Sequence, residues 1–231
     1  MGDHTSPLGL PIGAPLSGWN GAKPPRRVTL TGERCRLEPF DTVTHGQALG
    51  HAFSGTGCER LWTYISYGPF ATPDDWLRWM ETQAASDDPL FFAIVDSATG
   101  QAVGQASLLR IDSAAGVIEV GHIVYAPALK RTVAATEAMF LLMRYAFDEL
   151  GYRRYEWKCD ALNAASRRAA ERLGFSFEGV FRQATVYKGR NRDTAWYALL
   201  DGDWPATRLA FERWLSPDNR DADGQQRAAL G

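Results

Sequence analysis

The chain has 231 residues, 45% of them hydrophobic and 23% charged, which is typical of a folded globular protein and excludes a disordered or fibrous one. Its 25 basic and 27 acidic side chains give a formal charge of −2, so nucleic acid is not expected as a main partner. The three cysteines, Cys35, Cys58 and Cys159, are too widely spaced for a CxxC metal site or a disulfide framework, and we expect a cytoplasmic protein without bound metal.

The two ends of the chain lack the patterns of regular structure. Residues 1–27 are rich in proline and glycine, which predicts an extended N-terminal strap. Residues 216–231 are polar and predict a C-terminal tail. The body between them, residues 28–215, has the length of one domain.

The body opens with one predicted strand and two predicted helices. Residues 33–40 alternate between apolar and polar positions, as in a strand with one buried face. Helical spacing follows over residues 41–53 and 73–86, and the second helix begins after Thr72 with Pro73 and acidic residues in its first turn. Three β-rich runs then predict an antiparallel meander: residues 90–95, 102–111 and 117–125.

The second half predicts a buried helix followed by a strand, a short helix and a hairpin. Residues 132–150 carry a broad apolar stripe, and residues 152–159 alternate as a strand. Asn163 caps a short helix that ends before Gly174. A long hairpin and a closing helix complete the pattern: residues 175–187, 194–200 and 203–215. The sequence therefore predicts a single α+β domain, and no stretch reaches the ~18 apolar residues of a membrane span.

The junction between the third strand of the meander and the buried helix favours an anion. Backbone N–H groups at a helix N-terminus are unpaired and lie at the positive end of the helix dipole, which suits a phosphate or pyrophosphate. Lys130 and Arg131 add positive charge there, and Ala134 and Ala135 allow close approach. The alternative is an ordinary connection that binds nothing.

Three segments in one chain order carry a family resemblance: residues 118–138, the run NAASRRAAERLGF at 163–175, and the hairpin at 189–193. They resemble the GNAT superfamily of acyl-CoA-dependent N-acyltransferases, closest to its ribosomal-protein-acetyltransferase-like (RimJ/RimL-type) branch. The resemblance extends from about residue 31 to residue 204. It implies a mixed, mostly antiparallel twisted sheet flanked by helices, with acetyl-CoA as the co-substrate.

The resemblance also implies where acetyl-CoA binds. The family's pyrophosphate pattern falls on Lys130, Val133 and Ala135, of which only Ala135 fits outright, because Val133 replaces a glycine. The pantetheine arm would add beside the preceding strand, where the N–H of Ile123 or Val124 would polarise the thioester carbonyl. Asn163 either contacts the pantetheine or only caps its helix. The full implied set is Ile123, Val124, Tyr125, Lys130, Arg131, Thr132, Val133, Ala134, Ala135, Thr136 and Asn163.

Attack by an amine requires a base, because an ammonium ion has no lone pair. Glu119 lies eleven positions before Lys130, the spacing of the catalytic glutamate in the histone-acetylating branch; the alternative is an ordinary solvent-facing glutamate. His122 is the rival base. The tyrosine that protonates the departing thiolate in many family members is replaced by Ala170, so Ser166 or Tyr125 would serve instead.

The acceptor is expected over residues 58–79 and 185–196, which are rich in aromatic side chains. These rings, including four tryptophans, either form a wall for an amine or pack the core. The four tryptophans are Trp62, Trp76, Trp79 and Trp196. The sequence predicts an N-acetyltransferase of a protein N-terminus, an amino acid or another small amine, acting as a monomer or homodimer without membrane partners. The alternative is a catalytically silent acyl-CoA-binding or sensory domain.

Overall fold

One eight-stranded sheet organises the computed structural model, which describes residues 4–221 and 225–230. Its strand order is β3-β4-β5-β6-β7-β8-β10-β9, and β7 and β8 are the parallel neighbours in an otherwise antiparallel sheet. Two short N-terminal strands, β1 (His4–Thr5) and β2 (Pro11–Ile12), pair separately. The strands of the large sheet are β3 (Leu30–Thr31), β4 (Cys35–Pro39), β5 (Leu90–Asp96), β6 (Ala102–Asp112), β7 (Val117–Tyr125), β8 (Arg154–Asp160), β9 (Ser176–Tyr187) and β10 (Arg190–Leu200). The predicted α+β class and the meander are confirmed.

The α-helices begin where the sequence places capping side chains. The Asp41 carboxylate accepts from the N–H of Thr44, and Thr72 and Asp75 form a reciprocal capping box. The buried helix is shorter than predicted, because its last turn, Tyr145–Glu149, is π-helical. The described helices are α1 (Thr42–Ala52), α2 (Pro73–Ala84), α3 (Val133–Arg144), α4 (Ala164–Arg172) and α5 (Trp204–Leu215).

The sheet is covered on both faces. In β5 the alternate residues Leu90, Phe92 and Ile94 belong to one apolar cluster, and Phe91 and Ala93 belong to the other. Helix α3 and the ring pair of Phe140 and Phe211 fill the first cluster, while α1 and α2 fill the second. Burial on both faces explains why β5 reads as a continuous apolar run.

Two segments differ from the sequence prediction. The N-terminal strap contains the β1–β2 pair, and the indole N–H of Trp19 donates to the carbonyl of Ala114 at 2.8 Å. The hairpin turns at Lys188 and Gly189, both with positive φ, so β10 begins at Arg190 instead of 194. The predicted domain boundaries stay predictions. No helix within the described residues combines the length and hydrophobicity needed to cross a bilayer.

Candidate active site

A gap opens between the parallel strands β7 and β8. Their pairing covers Val117–Val120 with Arg154–Trp157 and ends there. Strand β7 then bulges: Val124 pairs with Gln105 and Gly121 with Ser107, which leaves one extra residue on β7, and His122 has a φ of 51°. Beyond this point the facing edges of the two strands pair with no described strand, so an extended ligand can add beside them.

A large cavity of about 990 Å³ lies between the N-terminus of α3, helix α4 and the turn between β3 and β4. Thr132 caps α3: its hydroxyl accepts from the N–H of Ala135 at 3.1 Å and donates to the carbonyl of Leu129 at 2.7 Å. The N–H groups of Val133 and Ala134 have no intrahelical acceptor, and both residues line this cavity. This end of α3 suits a phosphate.

The loop before α3 follows a path that accommodates Val133. Arg131 has the left-handed backbone conformation, with a φ of 62°, whereas Val133 is already the first helical residue, so its β-branched side chain carries no backbone strain. Arg131 lines the large cavity. Lys130 is exposed and is not among the residues that line the cavity, so the structure does not bring it to the predicted anion site.

Three arginines that the sequence did not suggest also line the large cavity: Arg34, Arg172 and Arg220. Arg172 of α4 donates from both terminal nitrogens to the hydroxyl of Thr136 at 3.2 Å. Arg34 reaches the cavity from the β3–β4 turn, where the buried carboxylate of Glu137 accepts from three successive N–H groups, those of residues 33–35. The charged side chains around this cavity are Arg34, Arg131, Arg172, Arg220, Glu33 and Asp96, which leaves an excess of positive charge.

A small cavity of about 190 Å³ lies at the other end of the gap and shares Trp157 with the large one. Both candidate bases lie in its wall, as do two of the three residues predicted at the thioester end, Ile123 and Asn163. The predicted residues that line it are Glu119, His122, Ile123, Asn163 and Ser166. Val124 is buried in the sheet, and Tyr125 lines the large cavity.

Glu119 is only 6% exposed, so the solvent-facing alternative is wrong. Its carboxylate accepts from the ammonium group of Lys158 at 2.8 Å and lies 3.4 Å from Nε of Arg110. Lys158 also contacts Glu156 at 2.6 Å. Burial raises the pKa of Glu119 above its ordinary value, and the nearby cations oppose that rise.

His122 is enclosed by aromatic rings, with centroid distances of 5.0 Å to Phe91 and 5.5 Å to Tyr67. Burial, together with the charge of Arg192, lowers the pKa of His122 to about 4. The imidazole is therefore neutral at pH 7 and retains a lone pair.

Ser166 and Asn163 face the small cavity from the start of α4. The Ser166 hydroxyl accepts from the indole N–H of Trp157 at 3.0 Å and keeps its own proton for donation. The Asn163 side chain accepts from the N–H of Ser166 at 3.1 Å, so it caps the helix and also lines the cavity. Tyr125 instead donates its hydroxyl to the carbonyl of Ala135 at 3.2 Å, beside the large cavity.

The predicted aromatic wall is mainly core. Trp62 and Trp76 are buried, and Trp79 stacks on Trp76 and Tyr67 between α2 and the sheet. The ring of Trp196 lies 3.8 Å from the Lys158 ammonium. None of these tryptophans is among the described residues that line the small cavity, which is closed by the loop of residues 64–66.

Three further charged residues of the small cavity are Lys158, Asp160 and Arg192. The alternation of residues 152–159 shows that Lys158 is opposite in direction to Trp157, but it does not show which face carries the site. Arg192 comes from a hairpin that begins more than fifty residues after Val124, and only the folded sheet brings it to β7.

The comparisons with known proteins identify the family. Residues 34–176, more than half of the chain, match the family model described as an acetyltransferase (GNAT) domain. The crystal structure of a GCN5-related N-acetyltransferase from Brucella melitensis is 49% identical and has a TM-score of 0.91, over 93% of this chain and 97% of that chain. A probable acetyltransferase of the GNAT family from Chromobacterium violaceum is 42% identical with a TM-score of 0.79, over 87% of this chain and 100% of that chain.

A curated relative is more distant. The Bacillus subtilis protein named "Putative ribosomal N-acetyltransferase YdaF" is 31% identical over 105 residues, which cover 46% of this chain and 57% of that protein.

Proposed function

Because the chain belongs to the GNAT acetyltransferase family, we propose that it transfers the acetyl group of acetyl-CoA to a primary amine. The observation that carries the proposal is the gap between β7 and β8, which has a positively charged cavity at one end and a cavity with two candidate bases at the other. Acetyl-CoA supplies an acetyl group activated as a thioester.

The large cavity holds the phosphate end of acetyl-CoA in this proposal. The free N–H groups of Val133 and Ala134 bind the pyrophosphate, and Arg131, Arg172 and Arg34 add charge-assisted hydrogen bonds. The pantetheine arm follows the open edge of β7, where main-chain groups satisfy its amides. The N–H of Ile123 or Val124 donates to the carbonyl oxygen as negative charge develops there.

Glu119 is the base that frees the amine in this proposal. Its buried carboxylate takes a proton from the incoming ammonium, and the amine lone pair then attacks the carbonyl carbon. Lys158 holds the carboxylate in place and does not react. The carbon–sulfur bond breaks with its electron pair on sulfur, and the Ser166 hydroxyl, facing the same cavity, protonates the thiolate. The second proton that the nitrogen loses as the amide forms returns to Ser166 and restores its hydroxyl.

The test combines acetyl-CoA binding by calorimetry with thiol release over a panel of amines. We expect micromolar-range binding and thiol release with at least one amine, and Glu119→Gln should lower kcat by about 100-fold while leaving acetyl-CoA affinity unchanged. Glu156→Gln is the matched control, because Glu156 also contacts Lys158 but does not line the small cavity.

Two outcomes would contradict this proposal. Acetyl-CoA binding without thiol release on any amine would favour the silent acyl-CoA-binding domain. Equal loss of turnover in Glu119→Gln and Glu156→Gln would show that both residues act only by holding Lys158.

A further inference from the structure

Arg192 is the cationic side chain of the small cavity that the proposed chemistry does not use. It lies at the start of β10 and is partly buried, and its Nε atom is buried without a hydrogen-bond partner. Its guanidinium forms no ion pair with any residue in the described part of the chain. Its guanidinium carbon lies 5.9 Å from the centre of the Tyr187 ring.

The other charges of the small cavity are already satisfied. Lys158 is neutralised by Glu119 and Glu156. Asp160 lines the cavity but is beyond ion-pair distance from Arg192, and its oxygens accept from the N–H of Leu162 and the hydroxyl of Tyr187, each at 2.8 Å. A partly buried guanidinium without an ion-pair partner is costly, and an anion that enters the cavity and pairs with it lowers this cost.

The volume of the cavity limits the size of the molecule that carries this anion. About 190 Å³ is smaller than a typical drug-binding pocket of ~300–1,000 Å³, so one small molecule would face Glu119 and Arg192 together. From this geometry, and resting on the proposed function, we infer that the acceptor is a small primary amine that also carries an anionic group, and that Arg192 binds this group.

This inference separates two of the acceptor classes that the sequence left open. A free amino acid has a carboxylate next to its amine, whereas the first residue of a protein has an uncharged amide in that place. An amine with a phosphate group presents the same anionic chemistry. Arg192 therefore acts as a specificity residue that favours the charged small molecule over a protein N-terminus.

The test compares matched amines by thiol release. One arm pairs glycine, leucine and phenylalanine with their carboxamides, which imitate a protein N-terminus; the other pairs phosphoethanolamine with ethanolamine. We expect the wild type to prefer the anionic member of at least one arm by about tenfold in kcat/KM. Arg192→Gln should bring that ratio near one, and Arg192→Lys should keep part of it.

Arg182→Gln is the control, because Arg182 lies on the same hairpin, is exposed and does not line the small cavity. Its preference ratio should equal that of the wild type. Thiol release with no preference in either arm, or a preference that survives Arg192→Gln, overturns the inference and leaves the proposed function standing.

Absence of thiol release with every amine contradicts the proposed function instead. In that case the inference is tested by calorimetry, which compares the affinities of N-acetyl-leucine and N-acetyl-leucinamide. Tighter binding of the carboxylate that is lost in Arg192→Gln supports it, and equal or absent binding of the two probes overturns it.

Discussion

Glu119 and His122 show how a single backbone irregularity assembles a site. Side chains alternate along a strand, so residues three positions apart normally point to opposite faces of the sheet. The extra residue in β7 and the left-handed conformation of His122 change this direction, and both side chains line the same cavity. Burial favours the uncharged form of each side chain, so the pKa of Glu119 rises and the pKa of His122 falls.

The depressed pKa of His122 predicts a loss of stability in mild acid. The pKa falls from 6.5 to about 4 on folding, so below pH 6.5 the unfolded chain binds a proton that the folded chain does not. Between pH 7 and pH 5 this difference should lower the free energy of unfolding by about 2 kcal/mol. His122→Asn, which tolerates the left-handed backbone, should remove that part of the pH dependence in urea unfolding curves. Identical pH dependence in the two proteins would contradict the assignment.

Helix α3 links the core to the proposed phosphate site. Ten of its residues are buried, which fixes the direction of its axis, and its N-terminus opens into the large cavity. The Thr132 cap orders the first turn, and Glu137, one turn further on, holds the loop that carries Arg34. Core packing therefore fixes the position of α3, and the position of α3 fixes the geometry of the proposed phosphate site.

Removing the Thr132 cap should affect stability and binding together. Thr132→Ala is expected to lower the free energy of unfolding by about 1 kcal/mol, because the N–H of Ala135 loses its acceptor. Acetyl-CoA affinity should fall several-fold in calorimetry, since the N–H groups of the first turn lose their fixed direction. Thr132→Ser keeps the hydroxyl and should restore both values; failure of serine to do so would assign the effect to the lost methyl group.

At the scale of the whole molecule, the N-terminal segment ties the end of α3 to the β6–β7 turn. Main-chain N–H groups of Ala22 and Lys23 donate to the carbonyls of Ser113 and Leu150 at 2.8 and 2.9 Å. The ring of Trp19 packs against Gly116, and the guanidinium of Arg153 lies 5.4 Å from its centre. None of the residues in these contacts lines either cavity.

Trp19→Ala should therefore destabilise the protein without changing acetyl-CoA affinity. The lost ring packing, cation–π contact and hydrogen bond predict a decrease of about 1–2 kcal/mol in the free energy of unfolding. Limited proteolysis should cut the N-terminal segment faster than in the wild type. Leu8→Ala, at a side chain that is 87% exposed, is the control and should leave the free energy of unfolding and the rate of proteolysis unchanged. A weakened acetyl-CoA affinity in Trp19→Ala would show that this segment also supports the site.

The sequence by itself determined the order and type of the elements from β4 to α5, three of the helix caps and the family, because periodicity, capping side chains and short motifs act over a few neighbouring residues. It also singled out Glu119, His122, Asn163 and Ser166, which come together in the small cavity. The structure does not bring Lys130 to the large cavity, and it buries Trp62 and Trp76. The sequence could not foresee this burial, since a run of aromatic residues has the same pattern in a core as in a pocket.

Only the tertiary structure decided which residues complete the site. Strand register sets the bulge that turns His122 and the ion pair of Glu119 with Lys158. Strand register and helix packing together bring in three arginines from distant segments, Arg34, Arg172 and Arg192. These contacts join residues far apart in the chain, so no local sequence pattern predicts them. Their geometry depends on how the sheet and α3 bury their apolar faces against each other.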